Sequence, residues 1–423
     1  MTTRQMNQDD LDRLMHQWMD DEAAVHEPVD LADRVLAVSR RSRQLPAWLA
    51  FDRWIQMQLT MRRATAPRLA PLLLLVGLLI AALLAALVYV GSRPKVPPPF
   101  GIADNGRIAF LSDNQIYSIE PDGTGLLELT NDPFGAATPV FSHDGTRITW
   151  KRLSADNPAD DPTLYGDLLV ADADGSHPIV LEPHITGMSP AAWSPDDREL
   201  LFSGTLTGAA EQIFIVPADG STPPAQIGAV NLFNWGPNWS PDGTKVSYVS
   251  GKQFWVMNRD GTEARSVSQG KYVEQSGGVW NPDGSGLIFE AGDRNDHDLW
   301  LVGLDGRPER ALAQSPRFEG APAFSPDGQW VAFVRFDADR RSPQIVVIRT
   351  NGSDERTLPG SYGTSGVMWS PDGTRLLVAA QNPRLVYELD PFGSAAAREV
   401  ELPGSLQSLG DNYELPAWQR RAH

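Results

Sequence analysis

FSPDG, residues Phe324 to Gly328, is one copy of a unit this chain writes six times. It recurs as WSPDG at Trp239 and at Trp369, and with single departures as FSHDG at Phe141, WSPDD at Trp193 and WNPDG at Trp280. The six aromatics stand 52, 46, 41, 44 and 45 residues apart. In Ser-Pro-Asp-Gly the serine can hydrogen-bond back into the turn, proline presets φ, aspartate is tolerated third, and glycine supplies a positive φ. His143 in place of proline and Asp197 in place of glycine are both permissible in such a turn.

Each turn leads into a β-type run: RITWKRL, ELLFSG, KVSYVSG, LIFEAG, WVAFVRF and RLLVAA. A second run follows (DLLVA, QIFIV, FWVMN, DLWLV, QIVVI, LVYEL), then a second turn that mostly ends in glycine. Those second turns number seven, from EPDG at Glu120 to DPFG at Asp390, one more than the aromatic units. The missing partner stands at the chain end, where LPAWQRR carries Trp418 with no turn after it. Residues 106–130 hold three runs with no aromatic unit before them. One four-stranded unit is therefore divided between the two ends, so that the last strand closes the first blade and leaves no open sheet edge. A period of 40–50 residues with four strands predicts an all-β, seven-bladed propeller. Phe141, Trp193, Trp239, Trp280, Phe324, Trp369 and Trp418 are expected to fill the seams between blades.

With these residues in view, W-S-P-D-G followed by a short β-run resembles the TolB-like (WD40-like) propeller repeats, over roughly residues 100–421. Such repeats also occur beside serine peptidase domains and in bacterial envelope proteins. The resemblance implies the architecture; the fold hosts binding proteins, enzymes and scaffolds alike.

Thirty-four prolines and 37 glycines suit many tight turns, and the absence of cysteine excludes disulfides, thiolate metal sites and cysteine nucleophiles. Residues 1–68 hold ten basic and ten acidic side chains, so the remainder, with 26 against 43, carries the whole net charge of −17. An acidic body excludes nucleic acid as a partner, since phosphate binding needs a basic face.

Between Arg68 and Arg93 lie 24 residues without a charge, LAPLLLLVGLLIAALLAALVYVGS. About 20 residues at 1.5 Å each cross a bilayer core, so 69–91 is expected to be a transmembrane helix. Arg53, Arg62, Arg63 and Arg68 precede it, against Arg93 and Lys95 after it, which predicts a cytoplasmic N-terminus and an extracytoplasmic propeller. VPPPF reads as a stiff spacer. The expected organisation is a cytosolic helical tail over 1–68 with an amphipathic juxtamembrane segment, the span 69–91, a Pro-rich linker 92–100 and the propeller 101–421. Residues 1–33 carry two arginines against nine acids, and 34–68 carry eight arginines against Asp52. The stretch LMHQWMDDEA in that tail is similar to membrane-bound anti-sigma factors, which implies a cytosolic regulator as a partner of 1–68. The chain lacks the His-x3-Cys-x2-Cys element common in that family.

The residues point to little chemistry. GTSGV at Gly363 departs from the G-x-S-x-G elbow at its last position, and no histidine stands in a clear triad pattern. DADGSH at Asp172 falls in a recurrent hairpin turn, which accounts for it. DRNDHD at Asp293 is expected in a surface loop, with Asp293, Asp296 and Asp298 as the candidate calcium ligands and solvated charge as the plainer reading. No cofactor and no catalytic residue is expected. Loops at 151–167, 203–212 and 336–344 are long and converge with others around a channel mouth, where propellers bind. The expected function is a non-catalytic protein- or ligand-binding module. The alternatives are a transmembrane signal transducer and a propeller enzyme acting on a sugar or lactone.

Overall fold

The computed structural model describes Gly77 and residues 100–158, 164–206, 210–228, 233–268, 278–293, 296–336, 343–360, 364, 366–381, 384–393, 397–400 and 416–421. The chain divides into two units, Met1–Gly91 and Ser92–His423. The tail 1–68, the apolar run 69–91 apart from Gly77, and the linker before Phe100 lie outside the described residues. Among the described residues no helix is long and apolar enough to cross a membrane.

Residues 104–421 form seven antiparallel four-stranded sheets, the blades of a propeller. Blade 1 is the divided one: its inner strand is Ala417–Arg421, and its second, third and outer strands are Asp104–Ser112, Gln115–Ile119 and Leu127–Glu128. Ile108 lies opposite Trp418, and Ala109 opposite Ala417. Blades 2 to 7 run in chain order, with inner strands Ala136–Phe141, Ala192–Trp193, Asn234–Trp239, Val279–Trp280, Phe318–Phe324 and Val367–Trp369. The chain thus closes on itself through hydrogen bonds that join its first and last strands.

The second strands are almost wholly buried. Glu199–Gly204 reads intermediate once and then buried five times, and Trp330–Phe336 begins with five buried residues. Each is covered on both faces by neighbouring blades, which explains apolar runs where a half-exposed strand would alternate. In the inner strands of blades 2, 4 and 6 the register with the second strand shifts just before the aromatic. Thr138 and Ala321 take left-handed φ values of 53° and 51° at these bulges.

Among the described residues the hydrophobic core falls into seven clusters, one per seam. Each contains one repeat aromatic with residues of two adjacent blades. Phe141 packs with Ala109 and Ile116 of blade 1, Trp193 with Leu168 of blade 2, and Trp239 with Leu201 of blade 3. Trp280 packs with Val249 of blade 4, Phe324 with Ile288 of blade 5, and Trp369 with Val334 of blade 6. Trp418 sits with Leu377 of blade 7, in the seam that closes the ring. A blade alone cannot bury these faces; stacking neighbours creates the core.

Candidate functional site

The inner strands surround two cavities, of about 550 Å³ and 380 Å³, which share Phe100, Val279 and Trp280 in their walls. The larger lies along the inner strands of blades 2 to 5, the smaller along those of blades 5 to 7 and 1. Together they form the central channel. Its wall is apolar and aromatic, with Trp235, Trp239 and Pro237 in one sector and Met368, Pro322 and Trp369 in the other.

Hydrogen bonds across the seams fix this wall. Trp193, Trp239 and Trp369 each donate their indole N–H to a carbonyl of the preceding inner strand, those of Val140, Ala192 and Ala323, at 3.1, 3.2 and 3.0 Å. The Trp280 indole donates instead to Ser247 Oγ of the preceding blade at 3.0 Å. Where the repeat uses phenylalanine no such donor exists. A preorganised, rigid aromatic wall suits recognition of a ligand or peptide without loop rearrangement.

The Ser-x-Asp-Gly turns ring one end of the channel. Ser240 Oγ donates to Asp242 Oδ1 at 2.6 Å and accepts the Lys245 N–H at 2.9 Å, and Asp242 accepts the Thr244 N–H at 3.0 Å. The clip recurs at Ser142, Ser194, Ser325 and Ser370. Aspartate in third place is therefore an acceptor that organises the turn, a role that turn tolerance does not reveal. Burial alone would raise the carboxyls of Asp144, Asp242 and Asp372; hydrogen bonds from the serine and from the residue two positions on outweigh it and hold them below their usual 3.8.

Four of the turn glycines lie close to the turn before them. A methyl group on Gly243, φ 69°, would meet Pro195 at 3.5 Å; one on Gly373 would meet Pro326 at 3.5 Å, one on Gly328 Pro282 at 3.6 Å, and one on Gly284 Pro241 at 3.9 Å. At one seam the pair is different. There the positions are His143 and Asp197, the departures at the proline and the glycine of the repeat, and they meet: His143 Nδ1 lies 2.9 Å from Asp197 Oδ1. The same carboxylate accepts the N–H groups of His143 and Asp144 at 2.8 and 2.9 Å. The N–H that proline lacks elsewhere is one that Asp197 uses here.

At blade 1, which has no such turn, the chain ends substitute for it. Gln419 accepts the Arg107 N–H at 3.0 Å and donates to Gly145 O at 2.7 Å. The Asn105 side chain donates to the Asp372 carboxylate of blade 7 at 2.9 Å and accepts the Asp372 backbone N–H at 3.1 Å.

The opposite end holds buried polar ties. Ser203 Oγ donates to Glu211 at 2.6 Å, and Glu319 accepts from Ser315 at 2.6 Å and from Arg335 at 2.9 Å. Burial pushes both carboxyls up, against the serine hydrogen bonds and the nearby Lys151 or Arg335. In the loop 151–167, Asn157 bonds Tyr165 through both its oxygen and its nitrogen, and the Tyr165 ring stacks on His184 at 5.2 Å. All three long loops, 151–167, 203–212 and 336–344, lie partly outside the described residues.

The candidate calcium ligands fall in blade 5. Asp293 pairs with Asp296 where the second and third strands meet, and Asp298 follows two residues on, so backbone register puts all three positions on one face. The side chains of Asp293 and Asp296 lie outside the described residues, and Asp298 accepts from Gln314 at 2.9 Å. Among the described residues no three His, Asp or Glu side chains are placed to hold a metal ion. His143 and His177 each pair with an aspartate, and His297 is buried against the Phe318 ring at 4.5 Å.

No family model matches the chain. Among curated proteins it is 33% identical over 92 residues to the Tol-Pal system protein TolB of Anaeromyxobacter dehalogenans, 21% of each chain. It is 29% identical over 201 residues to the uncharacterized peptidase YuxL of Bacillus subtilis, covering 46% of this chain and 28% of that one. This chain thus spans about a quarter of the length of these relatives. A puromycin-hydrolyzing peptidase of Mycobacterium tuberculosis shares the fold with TM-score 0.52 at 16% identity, over 75% of this chain and 58% of that one. The propeller is TolB-like in its repeat sequence.

Proposed function

We propose that this chain is a membrane-anchored, extracytoplasmic propeller that binds a protein or ligand at its central channel without transforming it. The observation that carries the reading is the channel itself: two aromatic-walled cavities of about 550 and 380 Å³ held rigid by hydrogen bonds across the seams. Its likeness to a protein named for the Tol-Pal system supports a protein partner. The anchor is the charge-free run 69–91, with the arginines of 34–68 holding the tail on the cytoplasmic side.

The test is photo-crosslinking of the full chain in its native host, with the crosslinker at Ala192 on the channel wall or at Trp18 in the tail. Envelope proteins captured from Ala192 support the binding reading; capture of nothing from the channel and of a cytosolic regulator from Trp18 supports the second reading, signal transduction. That second reading is favoured by the sharp division of charge between 1–33 and 34–68. A phosphatase reporter that is active only outside the cytoplasm, fused after His423, tests the orientation.

A further inference from the structure

The departures at the proline and glycine positions, His143 and Asp197, gather around a further oddity of the sequence. Phe100, the first residue after the proline run, borders both channel cavities. Its ring lies 5.1 Å from the His143 imidazole, inclined at 49°. The imidazole is in turn held by the Asp197 carboxylate at 2.9 Å. The residues that follow are tied down on both sides: Gly101 O accepts from Arg420 Nη2 at 2.8 Å, and the Ala103 N–H donates to Pro371 O at 2.9 Å. Arg420 also borders the smaller cavity. The strap 100–105 therefore crosses from blade 7 to blade 2 at the turn end, with its aromatic ring at the mouth.

A proline at 143 could pack on a glycine at 197, as four other seams do. It would present no aromatic ring to Phe100 and no polar anchor. Histidine offers a flat face to the phenylalanine and a nitrogen to the carboxylate, and aspartate fixes that ring and two N–H groups of the neighbouring turn at once. Both departures and the strap serve one arrangement.

We propose that the turn-side mouth of the central channel is a slot for one aromatic side chain, built by His143 and Asp197, which this chain fills with its own Phe100. A partner approaching from the turn side must present an aromatic residue of its own and displace the strap; otherwise entry is from the loop side. The functional consequence rests on the channel being the binding site. The closure itself does not, and it is tested without any partner.

Because the chain has no cysteine, a single Ala192→Cys reports access to the larger cavity beside Trp193. The full chain in detergent micelles is treated with a maleimide joined to a polymer too wide to thread the channel. Phe100→Ala is expected to speed labelling about tenfold, the weight of one aromatic contact with its burial. The pair His143→Pro with Asp197→Gly should speed it as well, and this variant keeps a turn contact that the fold uses at four other seams. A Ser221→Cys on an exposed turn should label at the same rate in every background. Equal rates at Ala192→Cys with and without Phe100 overturn the slot; faster labelling with Phe100→Ala alone, and none with the double variant, overturns the role of His143 and Asp197 in it.

Discussion

The seam between blades 3 and 4 and the seam between blades 2 and 3 solve one geometric problem with different chemistry. In the first, Gly243 lies beside Pro195, which an added methyl group would meet at 3.5 Å, and the Trp239 indole bonds the Ala192 carbonyl. In the second, the Trp193 indole makes the equivalent bond to Val140, while Asp197 and His143 replace the glycine and proline. The backbone hardly distinguishes them: Asp197 takes φ 56° where Gly243 takes 69°. A repeat position is thus fixed by backbone conformation first, and side-chain chemistry is free to vary where a neighbour varies with it. The exception also has work that the rule does not, since its histidine carries the Phe100 ring of the strap.

The comparison breaks most severely at the aromatics that both seams share. Trp239→Ala removes a buried indole and its bond to Ala192 and should cost about 3–5 kcal/mol, read from urea unfolding. Asp197→Ala should follow at about 3 kcal/mol, because it leaves two N–H groups without their charged acceptor and puts alanine at a left-handed φ. Restoring the repeat sharpens the contrast. The His143→Pro, Asp197→Gly double variant should unfold within about 1 kcal/mol of wild type, so that the cycle of single and double variants shows strong coupling. Simply additive losses would mean that the two residues do not act as a pair. Ser240→Ala opens one turn clip in the ordinary seam and should cost about 1 kcal/mol.

The smallest effect is pH-dependent. The turn carboxyls of Asp144, Asp242 and Asp372 are depressed below 3.8 in the folded state. The stability they contribute is fully present above that value and is lost as pH falls through their folded pKa values. Melting temperature should therefore drop as pH goes from 5 to 3, and Asp242→Asn should flatten that acid limb slightly. An identical limb in this variant would assign acid sensitivity to other groups.

Much of the architecture was readable because a repeat states its own period. Six aromatic turns against seven second turns already located the divided blade, and the Ile108–Trp418 register shows the strands that join there. The third-place aspartate was read as merely tolerated, because its acceptor role depends on where Ser240 Oγ and the Thr244 N–H point once the turn has closed. The channel wall was less legible still. Trp235, Pro237 and Met368 look in sequence like any other strand residues, and only the curvature of the ring turns them inward together.

The sequence by itself determined the number of blades, the closing strand and the aromatic of every seam, since these follow from local turn chemistry and a repeat that neighbouring blades must bury. What only the tertiary structure decided is which exceptions belong together. His143 and Asp197 are 54 residues apart in the chain, and Phe100 and His143 are 43 apart, each permissible where it stands. Their meaning is a contact between successive turns of a closed ring, and a one-dimensional pattern carries no term for a hydrogen bond between turns or for the mouth of a channel that seven separate blades enclose.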